Sequence, residues 1–308
     1  MSRRLERRGF ELGLGVQSDK QPAEYEAIAR RAEAAGVDVV TVYHDLLFQP
    51  AIAPLLMMAR VTERVRLGPS ALNPYTLHPV ELAGQAAALD LASNGRAYLG
   101  LVQGAWLDQL GLDGRQSLGA LREAVEVVRR LLAGERSGFA GRHFTLAPGA
   151  GLNYEPLRPE IPLLIGSWRP RTLAWAGTVA REVKLGGTAN PDMIHQARAW
   201  IGNDDVRIVV GAVTVVDEDG GRARARAREE VQLYLPVVAR LDPTLELPEG
   251  AEPPLERFTI AGTPEEVAVR VLELVEAGAG RVELGTPQGL TTGDGVELIC
   301  ARVLPLLG

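Results

Sequence analysis

Cysteine is almost absent: Cys300 is the only one in 308 residues. A single thiol excludes a disulfide framework and a thiolate metal cluster, and it fits a reducing cytoplasm. Lysine is nearly as scarce. Lys20 and Lys184 stand alone among basic residues that are otherwise arginine. Positive charge does not dominate either. The formal net charge is -6, which argues against a general nucleic-acid surface while leaving room for local basic pockets. Long apolar runs are missing: no window approaches the roughly 18 unbroken apolar residues of a membrane span. Arg3, Arg4, Arg7 and Arg8 are followed by Phe10-Glu11-Leu12-Gly13-Leu14-Gly15. That run is short, glycine-rich and broken by a carboxylate, so it reads as a first strand and not as a secretory signal. No motif repeats at a solenoid period, and no tract is of low complexity.

What is present is ordinary for a globular protein, with 46% hydrophobic and 23% charged residues. A chain this long buries about three quarters of its unfolded surface and needs no staples. Short apolar runs alternate with helical patterns. The predicted strands are Phe10–Val16, Val37–Tyr43, Val65–Leu72, Ala97–Val102, Ile161–Gly166, Glu182–Leu185, Arg207–Val216 and Arg281–Gly285. The helices between and after them are Pro22–Ala35, Ala51–Thr62, Val80–Leu91, Leu118–Ala133, Arg171–Gly177, Pro191–Ile201, Gly221–Leu241 and Val296–Leu306. A further helix, Pro264–Ala277, precedes the last strand. Strict alternation means crossover units on a parallel sheet. Eight such units predict a (β/α)8 TIM barrel, an α/β fold, as one domain over residues 1–308 with insertions near 134–159 and 242–257. In the first insertion, Phe139–Phe144 looks like a small hairpin or flap. Arg222, Arg224, Arg226 and Arg228 read as a solvated helix face.

A barrel carries its site at the carboxyl ends of the strands, and that rule selects residues. Strand two ends at Tyr43, His44 and Asp45. His44-Asp45 is the only adjacent titratable pair at a strand end. It fits an acid–base pair working near neutral pH, or equally a capping loop beside a packed histidine. His78, His143 and His195 read as structural. No His/Asp/Glu spacing makes a metal site, and no nucleophile elbow is present. After strand three, Ser70, Ala71, Leu72 and Asn73 sit between Gly68-Pro69 and Pro74, where prolines remove donors and stop or bulge the strand. Gln103, Gly104, Ala105 and Trp106 follow strand four. Gly166, Ser167, Trp168 and Arg169 follow strand five and lead into a helix, whose first amides and nearby arginines suit a phosphate. Gly186, Gly187 and Thr188 follow strand six. Trp106 and Trp168 are each either a wall for a flat ring or a wedge between loop and barrel.

Leu67–Pro79 resembles the third strand and loop of the bacterial luciferase-like superfamily. Ala88–Leu101, Ile161–Gly166 with Leu173–Gly177, Gly262–Glu266 and Gly285–Gly289 resemble further segments of it, in the same order. Within that superfamily the chain is most similar to the branch that uses the deazaflavin coenzyme F420 and includes methylenetetrahydromethanopterin reductase. The resemblance implies an oxidoreductase that passes a hydride between coenzyme F420 and a small-molecule organic substrate, often as a homodimer or higher homo-oligomer. It implies a non-prolyl cis bond at Ser70–Ala71 behind the ring. Ser70–Asn73 and Gln103–Trp106 would cradle that ring, and Gly166–Arg169 with Gly186–Thr188 would hold the phosphate arm. His44 or Asp45 would move a proton. The alternatives are an FMN-dependent monooxygenase of the same fold and a catalytically silent flavin-binding relative. Three departures point away from the methanopterin substrate itself: Val16-Gln17 where a carboxylate is usual, Ala180-Arg181-Glu182 in place of Ala-Asp-Gly, and the order His44-Asp45.

Overall fold

The computed structural model describes residues 9–104, 106–112, 117–232, 234–246, 248 and 251–308. Ala105, one of the expected ring contacts, lies outside them, as do Arg3, Arg4, Arg7 and Arg8. Eight parallel strands form the frame: β1 (Glu11–Val16), β2 (Val39–Tyr43), β3 (Arg66–Ser70), β4 (Leu99–Leu101), β7 (Leu163–Gly166), β8 (Glu182–Gly186), β9 (Arg207–Val216) and β11 (Arg281–Gln288). They run side by side in the order β3-β2-β1-β11-β9-β8-β7-β4. The ends of that order meet through parallel bridges, Leu67 to Ala97 and Leu72 to Leu101, so the sheet closes on itself as a (β/α)8 barrel. The strands are rich in apolar residues because both of their faces are covered.

The helices are α1 (Pro22–Ala35), α2 (Ile52–Arg60), α3 (Pro79–Ala92), α4 (Leu118–Leu132), α5 (Pro170–Val179), α6 (Pro191–Ile201), α7 (Gly220–Val231), α8 (Leu235–Leu241), α9 (Pro264–Glu276) and α10 (Thr292–Leu298). Their ends follow the local chemistry. In α9 the Thr263 hydroxyl accepts from the Glu266 amide, and the Glu266 carboxylate accepts from the Thr263 amide, closing a capping box. Gly36 ends α1 at φ 92, where a Cβ would be strained. The Gly221–Leu241 helix divides into α7 and α8, and Pro236 lies in the first turn of α8. That proline starts a helix instead of sitting inside one. A short next-to-last strand escaped the sequence reading: β10 (Thr259–Gly262) pairs in parallel with the end of β9. The 134–159 insertion holds the expected hairpin, β5 (Phe139–Ala140) with β6 (Thr145–Leu146).

The main apolar core lies between barrel and helices. The barrel interior is different. A small cluster of Val39, Tyr98, Leu164 and Val209 shares it with Thr41, Lys184, Arg281 and Glu283, all buried. Such large side chains fit because glycines face them. A Cβ on Gly68 would lie 2.4 Å from the Tyr98 ring, and one on Gly15 would lie 2.0 Å from the Tyr43 hydroxyl.

Candidate active site

The carboxyl ends of the strands bring the expected residues together. Tyr43 closes β2, and its ring centroid lies 4.8 Å from Lys184 Nζ. Its hydroxyl bonds Glu283 and rests against Gly15 and Gly285. Glu283 also accepts from Thr41 Oγ1 at 2.7 Å and from Lys184 Nζ. With its proton given to Glu283, Thr41 accepts from the Tyr98 hydroxyl at 2.6 Å. Burial alone would raise the Glu283 carboxyl, but the Lys184 ammonium and the Arg281 guanidinium outweigh it and hold it below the usual range. Burial, then Glu283 and Asp45, push the Tyr43 phenol well above its ordinary value, so it stays protonated.

His44 and Asp45 stand above this layer, each half-buried. His44 Nδ1 accepts from the Ala51 amide at 3.3 Å at the start of α2. Burial lowers its pKa. The ring is therefore neutral, with its proton on Nε2. It is the histidine, not the aspartate, that meets the start of the next helix, at the amide of its N-cap residue Ala51, and the helix has no side-chain cap. Burial raises the Asp45 carboxyl, against the opposing pull of the Gln17 side chain and the Lys184 ammonium. Tyr234, from the segment before α8, faces Asp45.

The β3 loop is built as its prolines imply. The Ser70–Ala71 peptide is cis, as is Thr286–Pro287 at the end of β11. Beyond the first, Leu72 rejoins β4 by donating to Gly100 O at 3.0 Å and accepting from the Val102 amide at 2.9 Å. Asn73 Oδ1 accepts from the amides of Tyr75 and Thr76, each at 3.0 Å, and so shapes the turn. Gln103 Oε1 accepts from Thr172 Oγ1 at 3.0 Å, tying the β4 loop to α5. Gly104 has φ +91. The Trp106 ring meets Tyr234 edge-on, with centroids 6.0 Å apart.

Ser167 donates its amide to Lys184 O at 3.1 Å, and its hydroxyl accepts from the Arg169 amide at 3.1 Å. Trp168 Nε1 donates to Gly186 O at 3.0 Å, and its ring packs on the cluster around Val238 and Phe258. Trp168 is thus a wedge between loop and barrel. The amides of Gly187 and Thr188 both donate to Gly211 O, at 2.6 and 3.1 Å, and the Thr188 hydroxyl donates to Arg257 O at 3.4 Å. Gly186–Thr188 therefore forms wall, with those two amides directed into β9. His78 caps α3 through Nδ1, His143 lies in the insertion near Ser117, and His195 lies within α6.

Three buried polar atoms near these strand ends have no hydrogen-bond partner: Ser18 Oγ, Thr76 Oγ1 and Gln288 Oε1. Ser18 follows β1, Thr76 lies in the β3 loop and Gln288 ends β11. Buried polar atoms are rarely left unsatisfied, so a donor-and-acceptor edge of a ligand fits here. A groove of about 620 Å³ lies elsewhere, lined by Leu132, Arg136, Leu152, Tyr154 and Pro159. It sits between the end of α4 and the approach to β7, at the amino end of the barrel, and holds none of this chemistry. Among the described residues no cluster of three or more His, Cys, Asp or Glu could hold a metal ion, and no helix is long and apolar enough to cross a membrane.

Sequence reasoning missed Lys184, Glu283 and Tyr234. For the first two a signal existed: each is a charge inside an apolar strand run, Val183-Lys184-Leu185 and Val282-Glu283-Leu284, and charged residues are almost never fully buried unless paired. Tyr234 carried no such signal.

Known proteins are similar to this chain in sequence and fold. The 5,10-methylenetetrahydromethanopterin reductase of Archaeoglobus fulgidus is 27% identical over 97% of this chain and 100% of its own length. The F420-dependent glucose-6-phosphate dehydrogenase of Amycolatopsis mediterranei is 30% identical over 51% of each chain. The structure of the coenzyme F420 dependent tetrahydromethanopterin reductase of Methanopyrus kandleri superposes with a TM-score of 0.81 at 22% identity, covering 97% of this chain and 99% of that one. Residues 9–281 match the family described as luciferase-like monooxygenase, and the chain belongs to that family.

Proposed function

We propose that the chain is a coenzyme F420-dependent oxidoreductase, working on a small-molecule organic substrate as one barrel domain and as a homodimer or higher homo-oligomer. The observation that carries this reading is the floor of the strand-end site. Ser18, Thr76 and Gln288 offer unpartnered donors and acceptors there, beside an aromatic floor at Tyr43 and a titratable pair at His44-Asp45. Relatives named for coenzyme F420 add to it. When bound, the deazaflavin supplies or accepts the hydride. Ser70–Asn73 and Gln103–Trp106 cradle its ring, and Gly166–Arg169 takes the phosphate arm at the start of α5. Gly186–Thr188 shapes the wall on that side. Asp45 takes or gives the proton that accompanies the hydride. His44 presents Nε2–H as a donor to the substrate.

The second reading, an FMN-dependent monooxygenase, is favoured by the family's own description. Titration of the purified protein with coenzyme F420 and with FMN, followed by mixing of the reduced complexes with air, separates the two. Tight F420 binding with slow oxidation is expected. Preferential FMN binding with rapid oxygen consumption would overturn the proposal.

A further inference from the structure

Three segments at the strand ends leave apolar side chains in solvent. Leu47 and Phe48 lie on the loop after β2, Leu110 on the loop after β4 and Val237 on α8, all of them exposed. Leu47 is the extreme case, 79% exposed and at φ 68. Trp106, on the β4 loop, has φ 52. Leucine and tryptophan rarely adopt this left-handed conformation, and such strain gathers at ligand sites. The Trp106 ring meets that of Tyr234 with centroids 6.0 Å apart, and both residues are half-buried. Each ring is carried on an anchored segment. Beside Trp106, Leu107 is buried, and a Cβ on Gly104 would lie 3.0 Å from its Cδ1. The Tyr234 carbonyl accepts from the amides of Val237 and Val238, and Val238 rests on Gly187 at the end of β8. The ring pair therefore bridges the β4 and β8 ends, with β7 between them.

Charge on these segments is sparse and of one sign. Among the described residues, 44–50 after β2 and 102–112 after β4 contain no lysine or arginine, whereas Asp45 and Asp108 are there. Lys20, after β1, is held by Asp19 at 2.6 Å. Arg240 follows Tyr234 by six residues, about 9 Å along a helix. A phosphate or carboxylate tail meets no counter-charge on the two loops.

We propose that the substrate is an uncharged, apolar molecule with a flat ring, and that Trp106 and Tyr234 select it, with Leu47 at the rim of the same mouth. The inference rests on the reading that hydride transfer takes place at these strand ends. Trp106 also ends the run that cradles the cofactor ring, so a substrate against it lies beside that ring. Exposed apolar groups around a site mark what it binds, and a few polar groups then orient the ligand. His44 and Asp45 are those groups here. Two rings set edge-on leave aromatic surface for a third.

The test uses 2-acetylnaphthalene as a neutral probe and naphthalene-2-carboxylate as its charged counterpart. Ligand-observed NMR titration is run on ligand-free and on F420-loaded protein, beside a separate F420 titration. The ketone should bind the more tightly of the two. Trp106→Ala and Tyr234→Ala should each weaken it by about tenfold, and Trp106→Phe and Tyr234→Phe should restore most of the loss. Leu47→Asn keeps the fold within reach, because asparagine accepts the left-handed conformation. It should raise the urea midpoint and still weaken the ketone, two effects of opposite sign that a purely structural role would not produce. Equal binding of the carboxylate, or an unmoved ketone affinity in the folded alanine variants, overturns the inference. If native protein fails to bind F420 while the ketone still binds through the two rings, the cofactor reading falls and the apolar selectivity stands.

Discussion

Tyr43 lies so close across Gly15 that a methyl group there has nowhere to go. The added Cβ would sit 2.0 Å from the hydroxyl and 2.5 Å from Cζ. Gly15→Ala must therefore displace the ring, break its bond to Glu283 and disturb the floor of the site. The expected cost is roughly 1–3 kcal/mol in urea unfolding, with weaker F420 binding in the same preparation. Gly186 is the control. Nothing lies within 4 Å of a Cβ built on it, so Gly186→Ala should stay within about 0.5 kcal/mol of native stability. Equal behaviour of the two variants would contradict the packing described for Tyr43. His44 yields a pH-dependent case. Its neutral Nδ1 accepts from Ala51, and burial lowers its folded pKa. A histidine depressed in this way contributes stability that is complete above its unfolded value, about 6.5, and is lost as pH falls through the folded one. His44→Ala should cost about 1 kcal/mol near neutral pH, and the gap to native protein should close in mild acid. A gap that is constant or widens there would count against the bond from Ala51 to His44.

At the level of elements, the segment between α7 and β10 decides how the site is covered. Asn190, at the start of α6, donates from Nδ2 to Asp242 Oδ2 and Thr244 Oγ1, each at 2.8 Å, and its Oδ1 accepts from Asp192 N and from Arg257 Nη1, each at 3.1 Å. The Ala189 amide also donates to Arg257 O at 2.8 Å. Together these bonds pin the insertion to the end of β8, with Val238 against Gly187. Asn190→Ala removes the side-chain bonds at once. Hydrogen exchange should then quicken over residues 234–257 and stay slow in β1, β2 and β9; uniform protection would show that the segment is held by packing alone. The expectation of an insertion near 242–257 came from its proline and acid content. The helix expected over Gly221–Leu241 is instead two helices, divided just before Pro236. It lies in a helical pattern, and only its place in a first turn, not its presence, marks a new helix. The eight barrel strands were legible because each is an apolar run between turn residues. β10 was not, because Thr259-Ile260-Ala261-Gly262 merges into the cap of α9. The strand-end residues followed from the rule that barrels act at their carboxyl ends. Lys184 and Glu283 escaped it because they lie within strands, and a charge there gains meaning only when the barrel closes around it.

Across the whole molecule the barrel separates two tasks along one axis. At the amino end, Arg66 and Arg207 lie between Glu11 and Glu182. Arg281, fully buried, stands 3.2 Å from Glu182 without completing a hydrogen bond, so charge more than directed bonding holds it. Burial alone would raise the Glu182 carboxyl, but Arg281, Arg66 and Arg207 pull it down to about 2. A carboxyl depressed from 4.5 to about 2 contributes stability that is complete above the unfolded value and lost as pH falls toward the folded one. Arg281 links this end to the strand-end layer in one column of charge, since it also lies 4.0 Å from Glu283. Removing Glu182 leaves three arginines facing Glu11, and the imbalance extends upward through Arg281 to Glu283 and Lys184. Glu182→Gln should therefore cost roughly 3–5 kcal/mol at neutral pH, as breaking one side of a buried ion pair does. It should also flatten the loss of stability between pH 4.5 and about 2 that the depressed Glu182 carboxyl implies for native protein. Urea unfolding across that range measures both. A variant as stable as native protein at neutral pH would mean that the arginines, two of them partly exposed, find water in place of the carboxylate, and the amino-end charges would then be solvated decoration instead of the base of the column.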